Sequence, residues 1–307
     1  MIHVRSIDDI SLQNSWLTIG VFDGVHRGHQ EVVQRLTSGA KQAGAPAVVV
    51  TFWPHPATVV GGGRVRCLTT DDERAALLAS FGVDAVVTHA FDATVAATSA
   101  RDFVAGLQNR LGFRHLLIGY DFALGKDREG NGSRLVEIGR DLGYTVDMVP
   151  ALGDESGVIS STEIRKLVAT GEVAEAAKLL GHRYSLHGQV VHGDGRGREL
   201  GFPTANIDYP SEKILPANGV YACRAWVDAR PHEAAINVGI RPQFHNGAEA
   251  PLVEAYLLDF DRQIYAEDLR LEFVARLRDE QKYGSVPALV EQIQRDVDLT
   301  HKILSNE

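Results

Sequence analysis

Two histidines three residues apart, set among glycines, are the residues of this chain best suited to chemistry on phosphate. They lie in Gly20-Val-Phe-Asp-Gly-Val-His-Arg-Gly-His29. Glycine permits a tight turn and a close approach of backbone to ligand. The free N–H groups that open a helix form an anion site. On a first helical turn, His26 and His29 project from one face. The segment therefore describes a phosphate cradle with two mobile proton donors. A plain structural loop is the alternative, and half a zinc site another. Cys67 and Cys223 lie far away without paired-cysteine spacing, so no further metal ligand is nominated. Nucleotide binding is the favoured reading.

Four other segments carry candidate chemistry. Thr51-Phe-Trp-Pro-His-Pro56 ends a strand and fixes His55 between prolines, which suits presentation to a ligand as well as an ordinary turn. In Gly119-Tyr-Asp-Phe-Ala-Leu-Gly-Lys126, Asp121 can accept from a hydroxyl or ring nitrogen, and Lys126 can meet a phosphate; a surface loop is the rival. Ile159-Ser-Ser-Thr-Glu-Ile-Arg165 reads as a helix start, where Ser160, Ser161 and Arg165 offer donors to phosphate oxygens, although capping alone is commoner. Gly193 to Asn206 is dense in glycine and arginine and resembles a backbone-donor loop, or else a hairpin. Thr204 and Asn206 alternate by two, so their neutral oxygens can share a face and help hold Mg²⁺. Glu254 sits in an apolar strand; facing inward it would have a raised pKa and serve as a general base, and facing outward it is ordinary surface.

The elements that must position these residues differ between the two halves of the 307-residue chain. Ser15–Ile19 and Ala47–Phe52 read as buried strands, with Ala85–Thr88 and His115–Gly119 as further ones. Between them lie helical patterns: one on Val32, Val33, Leu36 and Ala40, then 71–81, a Ser99-capped helix through Leu111, and 135–142 closing on Gly143. Such alternation predicts a parallel sheet wrapped by helices, with ligands beyond the carboxyl ends of the strands. The loops after Ile19, Phe52 and Gly119 should then face one crevice. Residues 160–181 are expected helical. From Tyr184 the texture becomes strand-like runs separated by Gly, Pro, Asn and Asp, an all-β barrel or sandwich, with a serine-capped helix over 285–304 closing the chain. The boundary is expected near 182–185.

Composition limits the partners. The chain is 44% hydrophobic and 23% charged, with a net charge of −9. Residues 1–183 hold 18 Lys and Arg against 21 Asp and Glu, and the remainder 13 against 19. With neither half basic, a polynucleotide partner is disfavoured, while a small phosphorylated ligand needs only local donors. No apolar run approaches a bilayer span. Two cysteines and no secretory leader lead one to expect the cytoplasm.

Taken in order, GVFDGVHRGH (20–29), TFWPHP (51–56), GYDFALGK (119–126), ISSTEIR (159–165), LGFPTAN (200–206), GVYA (219–222), NVGIRPQF (237–244) and EAYLLDF (254–260) resemble the prokaryotic bifunctional riboflavin kinase/FMN adenylyltransferase, or FAD synthetase, family. The resemblance covers almost the whole chain. It implies an α/β Rossmann-like nucleotidyltransferase domain of the HxGH superfamily over 1–183, then an all-β riboflavin-kinase barrel with a C-terminal helix over 184–307. By the same resemblance, His26 and His29 would steady the transition state of adenylyl transfer. Ser160, Ser161 and Arg165 would hold the departing pyrophosphate, and His55 and Asp121 would line the FMN/adenine crevice. Thr204 and Asn206 would ligate Mg²⁺ on ATP, Glu254 would take the proton of the ribityl 5′-hydroxyl, and the glycine loop 193–201 would cover the nucleotide. Further ligand contacts are implied for Gly20, Phe22, Asp23, Gly28 and Lys126, and for Gly193, Gly195, Gly201 and Arg241. The substrates would be ATP, riboflavin and FMN, for a monomer or weak homo-oligomer without nucleic-acid or membrane partners. One departure is Gln243, where the family usually has threonine; an adenylyltransferase with a flavin-binding but kinase-inactive barrel is the corresponding alternative. A flavin sensor with vestigial sites is argued against by the intact His26, His29, Arg165 and Glu254, and a tRNA-handling relative by the acidic surface.

Overall fold

A computed structural model of the chain describes residues 1–154, 157–193, 195–242 and 249–307. Contacts divide it into two units, Met1–Ser161 and Thr162–Glu307.

The first unit is a six-stranded parallel sheet in the order Ile2–Val4, Ala85–Ala90, Ala47–Trp53, Trp16–Ile19, His115–Gly119, Thr145–Val149. Ala47–Trp53 is buried at six of its seven positions, as its β-branched run requires of a strand covered on both faces. Alternate side chains serve opposite layers. Val48, Val50 and Phe52 join a core with Val104, Leu107, Leu135 and Ile138. Ala47 and Val49 meet Val32, Val33, Leu36 and Ala40 of the helix Arg27–Ala43 in the other. Strand order reverses between Trp16–Ile19 and His115–Gly119, so the turns after Ile19 and Gly119 leave neighbouring strands at the point where α/β sheets bind ligands. The outer strands Ile2–Val4 and Thr145–Val149 carry too little apolar pattern to be read from sequence.

Helix expectations hold with one amendment. Asp71–Ser80 opens on a reciprocal Thr70–Glu73 capping box, Ala100–Leu111 on Ser99, and Gly132–Leu142 on Asn131. The segment expected to be helical over 160–181 is two helices, Ser161–Thr170 and Val173–Leu180. Gly171, at φ +86°, ends the first in the left-handed region.

The second unit is a closed barrel rather than a sandwich. Its strands run Ser185–Val191, Ala205–Asp208, Glu249–Leu257, Arg230–Pro242, Gly219–Val227 and Asp268–Arg278, the last pairing with the first. All neighbours are antiparallel. The helix Val286–Leu304, capped by Ser285, closes the chain. Arg278 ties it to the barrel, with Nε 2.9 Å and Nη2 2.7 Å from the Asp296 carboxylate, which Gln292 also contacts at 2.9 Å.

Candidate functional site

In the first unit the site is a turn whose geometry depends on side-chain size. Gly20 follows the strand Trp16–Ile19, and a Cβ there would come within 2.9 Å of the Phe22 ring. Phe22 adopts a left-handed φ of +51° and folds back beneath the turn. His26 is the N-cap of Arg27–Ala43, its Nδ1 accepting from the His29 amide at 3.4 Å. A Cβ on Gly28 would lie 3.3 Å from the His26 ring. The two imidazoles stack at 3.6 Å and 19°, and Phe22 meets His29 edge-on at 5.1 Å.

Burial lowers the His26 pKa to about 4. Burial, then the neighbouring His26 and Arg74, holds His29 well below the usual histidine range. Both rings are therefore neutral at pH 7, which amends the expectation of two mobile proton donors. Each neutral ring keeps one N–H. With His26 Nδ1 accepting, that hydrogen sits on Nε2. In the ligand-free protein the pair therefore offers N–H donors.

Asp23 is 1% exposed, and its Oδ1 accepts from the amides of Leu68 at 2.9 Å and Thr69 at 3.1 Å. It therefore pins the turn to the loop ahead of Asp71–Ser80. Thr69 Oγ1 accepts from the Gly24 amide, and Ser161 Oγ donates to the Asp23 carbonyl at 2.9 Å, so Ser161 meets the same turn. Ser160 precedes it, half-buried. His55 caps the short helix Pro56–Val60, its Nδ1 accepting from Ala57 N at 3.1 Å. Asp121 and Lys126 are exposed beyond His115–Gly119, with the Asp121 carbonyl accepting from Arg128. Arg165 lies one turn inside Ser161–Thr170 and donates to Thr162 Oγ1 at 3.3 Å. The sequence reading missed Arg74, which is fully buried and donates from Nη1 to Thr51 Oγ1 at 2.8 Å.

In the barrel, register gathers the candidates. Asn206 lies opposite Glu254, and Glu254 opposite Asn237, on three adjacent strands. Such partners share one face of a sheet. Glu254, Thr204, Asn237, Gly195 and Gly197 line a cavity of about 420 Å³ together with Arg278, Tyr283 and Asp296. Val253 and Ala255 are fully buried, while Leu252, Glu254 and Tyr256 face the cavity. Glu254 is thus neither in the barrel interior nor on open surface, the two positions weighed from sequence. Asn237 was overlooked as a site residue, although its Asn-Val-Gly context was legible.

The glycine loop packs onto these oxygens. A Cβ on Gly193 would fall 2.0 Å from Asn206 Nδ2, and one on Gly197 3.2 Å from Thr204 Oγ1. Gly195 and Gly201 take positive φ at either end of the short helix Arg196–Glu199. Asn206 is 6% exposed. Thr204 and Asn206 supply hard, neutral oxygens, a donor set that fits Mg²⁺ only when phosphate oxygens complete the shell. Gln243 and the side chain of Arg241 lie outside the described residues.

One unit thus offers a phosphate turn at a sheet's switch point and the other a cavity suited to a phosphoryl group, which defines a two-site enzyme acting on nucleotides. Residues 8–163 match the FAD synthetase family model and residues 180–304 the riboflavin kinase model. The chain is 35% identical over 296 residues to the bifunctional riboflavin kinase/FMN adenylyltransferase of Listeria monocytogenes, covering 96% of this chain and 94% of that protein. It is 34% identical over 299 residues to the Escherichia coli K12 protein of that name, covering 95% of each. A crystal structure from Streptococcus pneumoniae, described as a macrolide-efflux protein, superimposes with a TM-score of 0.88 at 31% identity over 98% of both chains. Among the described residues, no helix is long and apolar enough to cross a membrane. The chain belongs to the bifunctional riboflavin kinase/FMN adenylyltransferase family.

Proposed function

We propose that the chain phosphorylates riboflavin to FMN and then adenylylates FMN to FAD, with residues 184–307 performing the first step and 1–183 the second. The likeness to bifunctional relatives, end to end and in order, carries this reading. In the kinase step the ribityl 5′-hydroxyl attacks the γ-phosphorus of ATP, Glu254 takes its proton, and ADP departs. Asn237 and Asn206 flank that carboxylate in register. Thr204 and Asn206 would hold Mg²⁺, which neutralises phosphate charge. In the adenylyl step the FMN phosphate, already ionised, attacks the α-phosphorus and pyrophosphate leaves. No base is required there, which agrees with a site of neutral imidazoles. His26 and His29 would donate N–H bonds to the phosphoryl oxygens, and Ser160, Ser161 and Arg165 would receive the pyrophosphate. His55 and Asp121 would line the flavin and adenine crevice, with Lys126 toward phosphate. Both steps are displacements at phosphorus, where alignment and charge neutralisation do most of the catalysis.

The kinase-inactive alternative rested on Gln243 and gains nothing from the barrel, where Glu254 and Thr204 line one cavity. The buried, free Cys67 and Cys223 fit a reducing compartment, so the proposed location is the cytoplasm, for a monomer or weak homo-oligomer. Incubating the pure protein with riboflavin and Mg-ATP and separating the flavins by chromatography tests the reading. Both FMN and FAD are expected; the absence of both ends it.

A further inference from the structure

Among the described residues, Arg74 is a buried cation beside the first site that the chemistry above leaves unused. It sits in the first turn of Asp71–Ser80 with 0% exposure. Nη1 donates to Thr51 Oγ1 at 2.8 Å and to the Phe52 carbonyl at 3.1 Å. Thr51 donates in turn to the Val21 carbonyl at 2.9 Å, so the guanidinium is two hydrogen bonds from the turn that carries the histidines. Among the described residues its Nε and Nη2 have no hydrogen-bond partner, and neither has the buried Nδ1 of His29. The charges of Asp23 and Glu73 favour the charged guanidinium, although the hydrogen bonds given for their carboxylates go to the Leu68, Thr69 and Thr70 amides, and the Trp53 ring lies 5.8 Å from Arg74 Cζ.

A buried guanidinium with two donors unmet is costly in a folded protein. Costs of this kind persist where a site is preorganised for charge that arrives with a ligand. We infer that Arg74 is a positioning residue for the nucleotide, its guanidinium, with two donors unmet, supplying positive charge that the triphosphate meets through the turn of His26 and His29. The inference rests on the first unit being the adenylyltransferase. Water is excluded from the guanidinium, so its field is weakly screened and reaches the turn. The same field opposes a second positive charge on His29.

The test uses the full chain carrying Arg74→Met or Arg74→Lys, with FAD formation from FMN followed as ATP is varied and riboflavin phosphorylation as an internal control. Arg74→Met raises KM for ATP about tenfold, the loss expected for one charge-assisted phosphate interaction, with kcat changed less than about threefold and FMN formation unaltered. Arg74→Lys keeps the charge and returns KM to within about threefold of the parent. An unchanged KM in Arg74→Met, or equal impairment in both variants, overturns the inference as a purely structural role would. Should Arg74→Met not fold, titration of the parent and Arg74→Lys with inorganic pyrophosphate decides. Affinities within about threefold support the role of charge, and a loss of about tenfold overturns it. A parent chain that makes no FAD from FMN defeats the underlying reading as well; a working parent with an indifferent Arg74→Met defeats this inference alone.

Discussion

At the scale of single residues, the uncharged histidine pair has a measurable cost. The folded pKa of His26 is lowered from 6.5 to about 4 by burial. Between those values the unfolded chain binds the proton and the folded chain does not, so stability rises with pH across that window and is lost as pH falls from 6.5 toward 4. The full penalty from this ring is about 3 kcal/mol once both states are titrated. His29 acts with the same sign. Replacing His26 by Asn keeps an N-cap acceptor and removes the titration. Thermal unfolding between pH 7 and pH 4 should therefore fall less steeply in His26→Asn than in the parent; equal slopes would show that burial is not the cause. The carboxylates behave differently from their sequence reading. Asp23 entered as a ligand contact through the family resemblance, and the fold adds that its carboxylate accepts from two backbone amides, a tertiary pairing no local pattern encodes. Arg74 escaped notice because an arginine after Asp71-Asp72-Glu73 reads as part of a solvated helix face, and only the tertiary fold turns it inward.

At the scale of elements, legibility followed burial pattern. The run Ala47–Trp53 is apolar on both faces and could be read directly, as could the barrel strands Ser185–Val191 and Gly219–Val227. Thr145–Val149, mostly exposed at a sheet edge, has no such signature. The break at Gly171 was hidden because the apolar residues on either side keep helical spacing across it. The cavity wall that holds Glu254 and Asn237, with Asn206 opposite Glu254 on the next strand, needed strand register, which no local pattern encodes. Two elements lend themselves to tests. Ala at Gly193 puts a Cβ against the Asn206 amide at 2.0 Å, so Gly193→Ala should raise KM for Mg-ATP in riboflavin phosphorylation about tenfold or more while sparing adenylylation. Asp296→Ala leaves Arg278 half-buried without its partner and should cost about 3 kcal/mol, measured by denaturant unfolding; a loss under about 1 kcal/mol would place the pair among weak surface bridges.

At the scale of the whole molecule, the proposed reading assigns the two reactions to different groups of residues, and single substitutions can separate them. His29→Ala should abolish FAD formation from FMN and leave FMN formation intact. Glu254→Ala should do the reverse, slowing riboflavin phosphorylation by about 10²- to 10⁴-fold, the contribution of a positioned general base. Steady-state assays of both half-reactions on each folded variant check this, and loss of both activities from either change would defeat the modular picture. The change near residue 184 from strands alternating with helices to strands alone was legible in the sequence, whereas the contact units divide earlier, between Ser161 and Thr162.

The barrel is completed only when Asp268–Arg278 bonds to Ser185–Val191, its earliest stave. A frameshift or premature stop anywhere before residue 268 therefore leaves an open, unpaired remnant and not a shortened cylinder. A lesion just beyond residue 285 leaves every stave in place and strips only the terminal helix. Truncated chains should thus fall into two groups by position, with FMN formation from riboflavin lost outright in the first and weakened by degrees in the second, where only the cavity wall of Leu289, Ile293 and Asp296 is missing.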